Sequence, residues 1–192
     1  MIVKLYLLSY AAVAVIVLTS CSSQENPSQS VAEIDRVNPS VKVVTLDKNF
    51  KTVMGQTIYV PAYSYIYHYD RKQTYNLTAT LSIRNTDLTK PIIITSVRYN
   101  NSAGNLVRKY LERPTQLAAL ASTNFAVDSS DNSGGLGANF IVEWVAQTEV
   151  SSPIVEAIMI GSSFQQGISW ISPGKVIKSQ DNRQTKTSLS GF

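Results

Sequence analysis

The chain has 192 residues, with 17 Lys and Arg against 13 Asp and Glu, one His and one Cys. That length suits a single domain with a sizeable core, and a lone thiol forbids an internal disulfide. The mild positive balance, without clustered Lys and Arg, argues against a nucleic-acid partner, and one histidine excludes a histidine-rich metal centre.

Lys4 precedes a charge-free apolar run from Leu5 to Leu18, which leads into Thr19-Ser20-Cys21. As a helix the run rises about 21 Å, short for a hydrocarbon core of about 30 Å. A basic start, an apolar run and small residues before a cut mark a secretory signal. Leu18-Thr19-Ser20-Cys21 resembles the lipobox of bacterial lipoproteins, whose cysteine thiol carries a diacylglycerol after cleavage. The contrary reading is an uncleaved anchor in which Cys21 is incidental. Cleavage leaves 17 − 1 = 16 basic residues against 13 acidic, a net +3. Each buried methylene contributes about 0.8 kcal/mol, so two or more acyl chains such as palmitate anchor stably. Ser22 stands where an aspartate tends to retain such proteins at the inner membrane. The resemblance therefore implies the outer membrane, with the domain in the periplasm.

The expected organisation is a signal peptide over 1–20, a tether over 21–40, a β-sandwich domain over 41–178 and a polar tail over 179–192. Ser22–Ser40 is rich in Ser, Gln, Asn and Pro and cannot bury much surface. Val41–Leu46 begins the folded part, and Thr57–Val60 is a second short β-prone run before Pro61. In Tyr75–Arg84, apolar residues alternate with polar ones at a period of two, which predicts one half-buried strand. Asn85-Thr86-Asp87 and Lys90-Pro91 end it in turn residues. Ile92–Tyr99 and Leu106–Leu111 read as a hairpin whose loop, Asn100–Gly104, gives Gly104 freedom for a positive φ. Leu117–Ala121 fits a helical turn or a strand approach equally. Ser122–Val127, Ala138–Ala146, Pro153–Ile160 and Ile168–Ile171 are further strands. From Lys175 onward the polar, weakly basic chain reads as a frayed tail. Short strands punctuated by Gly, Pro and Asn predict an all-β, antiparallel β-sandwich of seven to eight strands, immunoglobulin-like in architecture only and without a disulfide.

The ordered motifs Tyr59-Val60-Pro61, Leu81-Ser82-Ile83-Arg84-Asn85, Val97-Arg98-Tyr99, Gly137-Ala138-Asn139-Phe140-Ile141-Val142-Glu143-Trp144 and Pro153-Ile154-Val155-Glu156-Ala157 carry a family resemblance. Over roughly Thr57 to Ile171 the chain resembles the bacterial family catalogued as domain of unknown function 3124. The resemblance implies an exported or lipoprotein-like protein and supplies no activity.

Glu143 and Glu156 each interrupt an apolar strand. If Gln147–Ser152 is the loop of a hairpin, a register centred between Glu149 and Val150 sets the two carboxylates opposite each other. Such a pair raises a pKa or demands a cation, from Arg84, Arg98 or a metal. The plainer reading leaves each Glu exposed or paired with an arginine. A retaining glycosidase would need the carboxyls roughly 5 Å apart in a cleft. His68 is the only base for a Ser–His hydrolase, no Gly-x-Ser-x-Gly elbow is present, and a surface or interface role is the plainer reading. Tyr63, Tyr65, Tyr67 and Tyr69 share one face if extended, with Ser64, Ile66 and His68 on the other. Such a stripe suits a glycan, peptide or protein partner, or packs on a neighbouring strand, and Pro61 points to a sheet edge. Asp128–Gly134 departs from EF-hand spacing at Ser133 and Asn139, so a solvated loop is expected. Gly134, Gly135 and Gly137 precede no helix that would bind phosphate.

The sequence calls for no cofactor. Its expected role is a membrane-anchored binding or assembly module of the cell envelope, with a protein or glycan partner and no catalytic residues. Two rivals are a metal-assisted hydrolase built on Glu143, Glu156 and His68, and a purely structural envelope protein.

Overall fold

The computed structural model describes residues 40–47, 49–163 and 166–181. The leader, Cys21, nearly all of the tether and the tail beyond Asp181 lie outside the described residues. Thirteen strands are present among those described: β1 (Val41–Val43), β2 (Met54–Pro61), β3 (Tyr65–Tyr67), β4 (Thr74–Asn76), β5 (Thr78–Arg84), β6 (Ile92–Asn100), β7 (Leu106–Lys109), β8 (Thr115–Leu117), β9 (Ser122–Val127), β10 (Asn139–Ala146), β11 (Ile154–Ser163), β12 (Gln166–Pro173) and β13 (Lys175–Asp181). One antiparallel sheet runs β1-β8-β6-β10-β2-β13, with β7 beside β8 along the same side of β6; a second runs β12-β11-β5-β9; β3 and β4 form a small hairpin. The fold is an all-β antiparallel sandwich, as expected, with more strands than seven to eight.

Alternation explains the core. Phe140, Val142 and Trp144 of β10 and Ala79, Leu81 and Ile83 of β5 point inward from opposite sheets and are almost fully buried. Tyr99 and Phe140 meet with ring centroids 5.0 Å apart. The Trp144 indole N–H donates to Gln56 Oε1 at the end of this layer, so a polar group at the core boundary keeps its partner. The hairpin of β6 and β7 forms as predicted, with Gly104 at φ +82°.

Four expectations are corrected. The Tyr75–Arg84 run is two elements, β4 and β5, because the chain leaves one hairpin at Leu77 and enters a sheet. Lys175 onward is a strand to Asp181, paired along β2. Gly174 permits this crossing between sheets, since a Cβ there would meet Val155 O at 2.6 Å and Ile58 Cγ2 at 2.7 Å. The predicted frayed tail is short of side-chain hydrophobicity, but its backbone completes a ladder. Pro61 ends β2, an inner strand: the pairing with β13 stops at Tyr59, so the missing N–H falls beyond it. Finally, β10 and β11 are not a hairpin. They belong to different sheets, because both have an apolar face that buries against the other across the core. The connection is a pinned crossover, with Val150 buried at its centre.

Candidate functional site

The predicted residues separate into three places. Glu143 lies on the outer face of the larger sheet, where Arg98 Nη2 donates to its Oε1 at 2.7 Å. Glu156 lies on the outer face of the smaller sheet, 3.8 Å from Arg84 Nε. The carboxylates therefore do not face each other, and each has its own arginine. His68 is on the β3–β4 hairpin, so Glu143, Glu156 and His68 do not converge. Among the described residues, no three His, Cys, Asp or Glu side chains form a metal cluster.

The tyrosine stripe holds only in part. Tyr65 and Tyr67 share a face of β3, edge to face at 6.3 Å. Tyr63 precedes the strand and packs edge-on against Trp170 at 5.9 Å. Tyr69 sits in the turn and is 98 % exposed. Alternation ends there because the chain reverses: Arg71 takes φ +56° and donates its N–H to His68 O, while Asp70 accepts from the Lys72 N–H.

The hairpin opens a cleft against the smaller sheet, with a volume of about 360 Å³. His68 and Tyr75 line it with their rings, whose centroids lie 5.7 Å apart. Thr78, Ser129, Ser162 and Asn76 bring hydroxyls and an amide, and no Asp, Glu, Lys or Arg lines it. Gly161 sets its depth. A Cβ there would run into the Tyr75 ring, Asn76 O and Leu77 Cδ2, so β11 approaches the hairpin only through a bare backbone. Gly161 inside an otherwise apolar strand was the readable signal for this close approach; Ser129 and Ser162 gave none. A hydroxyl-rich hollow with aromatic rings and no Asp, Glu, Lys or Arg can exchange hydrogen bonds with an uncharged polyol and cover its C–H face.

Beside the cleft, the 128–137 loop is tied by its own side chains. Asp128 accepts from the N–H and hydroxyl of Ser130, at 2.8 and 2.7 Å, which holds its carboxyl below the usual range. Asp131 is lowered in the same way, chiefly by the Ser133 hydroxyl, and also accepts from Arg108 Nη2 at 3.0 Å. These carboxylates shape turns. Beneath the loop, Ser64 and Tyr99 share a buried 2.7 Å hydrogen bond, and burial raises the Tyr99 phenol.

At the other end of β5, Asn85 donates to the carbonyls of Lys90 and Ala118 at 2.9 Å and of Leu117 at 3.3 Å, and accepts the Asp87 N–H. Asp87 accepts the N–H groups of Thr89, Ser151 and Lys90, which lower its carboxyl to about 2. Lys90 Nζ donates to Glu149 O. Motif residues Asn85, Trp144 and Asn139, which accepts from Asn100 Nδ2 at 3.1 Å, thus act as structural pins.

Fold and cleft together define a disulfide-free β-sandwich that presents a hydroxyl-rich hollow at one end. The chain belongs to the family described as "Protein of unknown function (DUF3124)", whose model matches residues 55–177 and spans the stretch over which the sequence resembles it. No curated protein and no solved structure matches the chain.

Proposed function

We propose that this protein is a lipid-anchored binding module of the cell envelope, acylated at Cys21 and held on the periplasmic side of the outer membrane, and that it takes a neutral glycan in the His68–Tyr75 cleft. The carrying observation is the lining of that cleft: residues with hydroxyls, an amide and two rings, and no Asp, Glu, Lys or Arg. Sugars present several hydroxyls and an apolar ring face, and aromatic side chains with a polar tip meet both. The exposed Tyr67 and Tyr69 extend the aromatic surface beyond the hollow. The lipobox supports the address, and the separation of Glu143, Glu156 and His68 favours binding over catalysis by that trio.

Retention of the full chain on immobilised neutral envelope glycans tests the ligand class. Ser162→Arg, which fills the cleft from an exposed strand position, weakens retention at least tenfold, and His68→Ala weakens it less. Unchanged retention in Ser162→Arg, or none by the wild type, overturns the glycan reading. Intact-mass measurement on protein extracted from membranes tests the address; an unmodified Cys21 thiol overturns it.

A further inference from the structure

We infer that β12 is a self-pairing edge, through which two copies of this chain join their smaller sheets in antiparallel fashion. Strand edges are normally guarded by charge, proline, bulges or brevity. Among the described residues the other edges have such a guard: β7 is four residues long with Arg108 and Lys109, and β3 and β4 are three residues each. β1 is three residues long and carries Lys42. β13 carries Lys175 and Lys178 and is kinked by a register shift between Val176 and Lys178. On β9, the Tyr110 hydroxyl donates to Ala126 O at 2.8 Å. β12, by contrast, has eight residues, Gln-Gly-Ile-Ser-Trp-Ile-Ser-Pro, with no charge and an unbroken register against β11.

The hydrogen-bond phase of β12 selects its partner. Gly174 N–H donates to Val155 O at 2.8 Å, in the same register that pairs Ala157 with Ser172 and Met159 with Trp170. Bonded pairs recur every second residue in an antiparallel ladder. Trp170 and Ser172 therefore turn their backbone groups toward β11, and Gly167, Ser169 and Ile171 turn theirs to the free edge. Pro173 falls on that edge too, and its missing N–H limits the ladder there.

In a continuous sheet, opposed residues point to the same face, so a two-fold axis must pass at a residue and not between two. With the axis at Ser169, the pairs are Ser169 with Ser169 of the second copy, and Gly167 with Ile171 of the second copy in both directions. All three edge residues then use both N–H and C=O, giving six bonds. An axis at Trp170 sets Gly167 against Pro173 in both directions and loses two of its eight bonds. It keeps the same six but leaves the Gly167 carbonyl of each copy facing a proline that cannot donate, which the Ser169 axis avoids. No like charges meet across the axis, and Ile171, 58 % exposed, lies over the bare Cα of Gly167 of the second copy. This self-complementarity favours a second copy over an unrelated strand.

Ser169→Cys in the full chain tests the register. A bonded antiparallel pair holds its Cα atoms at about 5.5 Å, within disulfide reach. Oxidation is expected to give a covalent dimer in most of the protein, whereas Ser122→Cys on β9 and the wild type, run alongside to account for Cys21, give none. Sedimentation of the wild type is expected to show a dimer that Ser169→Lys and Ile171→Pro each weaken at least tenfold, with unchanged circular dichroism. A monomeric wild type, no crosslink at position 169, or a dimer indifferent to both folded variants overturns the proposal.

Discussion

The two ends of β5 are built on opposite principles. At the Arg84 end, Asn85 and Asp87 pull the 85–90 turn, the 117–118 stretch and the crossover at Ser151 together through directional bonds. At the Thr78 end, the chain leaves a hollow lined by hydroxyl-bearing residues, where Gly161 lets β11 pack closely against the hairpin. One end fixes the sandwich; the other offers polar groups to a ligand. A motif centred on Asn85 therefore reports on the fold, and binding is sought some 20 Å away, at roughly 3.3 Å per strand residue.

The strongest way to break this contrast is to remove the pin. Asn85 is 2 % exposed, and Asn85→Ala removes the side-chain donor from the Lys90, Leu117 and Ala118 carbonyls, the last of which keeps the Ala121 N–H, and the acceptor from the Asp87 N–H. Each unsatisfied group costs about 1–3 kcal/mol, with partial relief from water at the turn. A loss of about 3 kcal/mol is expected in denaturant unfolding, with glycan retention by the remaining folded protein unchanged. Retention lost in proportion to nothing but the substitution would tie the two ends together. At the other end, Gly161→Ala drives a Cβ to 2.9 Å from Asn76 O and from Leu77 Cδ2. Overpacking of this kind costs about 1–3 kcal/mol. Here the expected sign is reversed for function: retention falls at least tenfold while most of the protein stays folded.

How much of each end was legible follows from the range of the interactions. Alternation in Ala79, Leu81 and Ile83 is a local property, and it placed β5 correctly in a sandwich. The turn at Asn85-Thr86-Asp87 was also readable, as a turn; its reach to Leu117, Ala118 and Ser151 was not, because those partners are set by topology. The cleft was half legible. Of the candidate residues only His68 lines it; the tyrosine run was read as extended, Tyr75 was placed in a strand, and Ser129, from a loop, and Ser162, from β11, resemble ordinary surface serines. Glu143 and Glu156 misled because spacing along the chain is a guide to pairing only when the connection is a hairpin. The Gln147–Ser152 segment instead crosses between sheets, tied by Lys90 to Glu149 O and by Asp87 to the Ser151 N–H.

Acid sharpens the contrast without touching the core. The Asp87 carboxyl titrates at about 2 in the folded chain against 3.8 in its absence, first because of the Thr89 N–H and then the Ser151 and Lys90 N–H groups. A depressed carboxyl stabilises the fold above its unfolded value, and that contribution fades as pH falls toward the folded one. Wild type is expected to melt above Asp87→Asn by a constant margin from pH 7 to 5, with the margin closing between pH 3.8 and about 2. A margin independent of pH would mean that the turn is held by shape and not by the carboxylate charge.

The smallest effects are expected from the ion pairs on the sheet faces between the two ends. Arg98 and Glu143 have side chains about two-fifths exposed, at 41 % and 39 %. Water and salt screen such a pair, and exposed pairs contribute about 0.2–1 kcal/mol. Arg98 Nε is buried without a partner among the described residues, so the 2.7 Å bond from Nη2 is the anchor of that guanidinium. Glu143→Gln keeps an acceptor oxygen there and is expected to cost less than about 1 kcal/mol. Glu156→Gln, at a 3.8 Å separation from Arg84, is expected to cost less again. Neither substitution is expected to change glycan retention, since neither side chain lines the cleft. If either one abolished it while the fold persisted, the ligand would be bound on a sheet face, and the division of labour between the ends of β5 would be wrong.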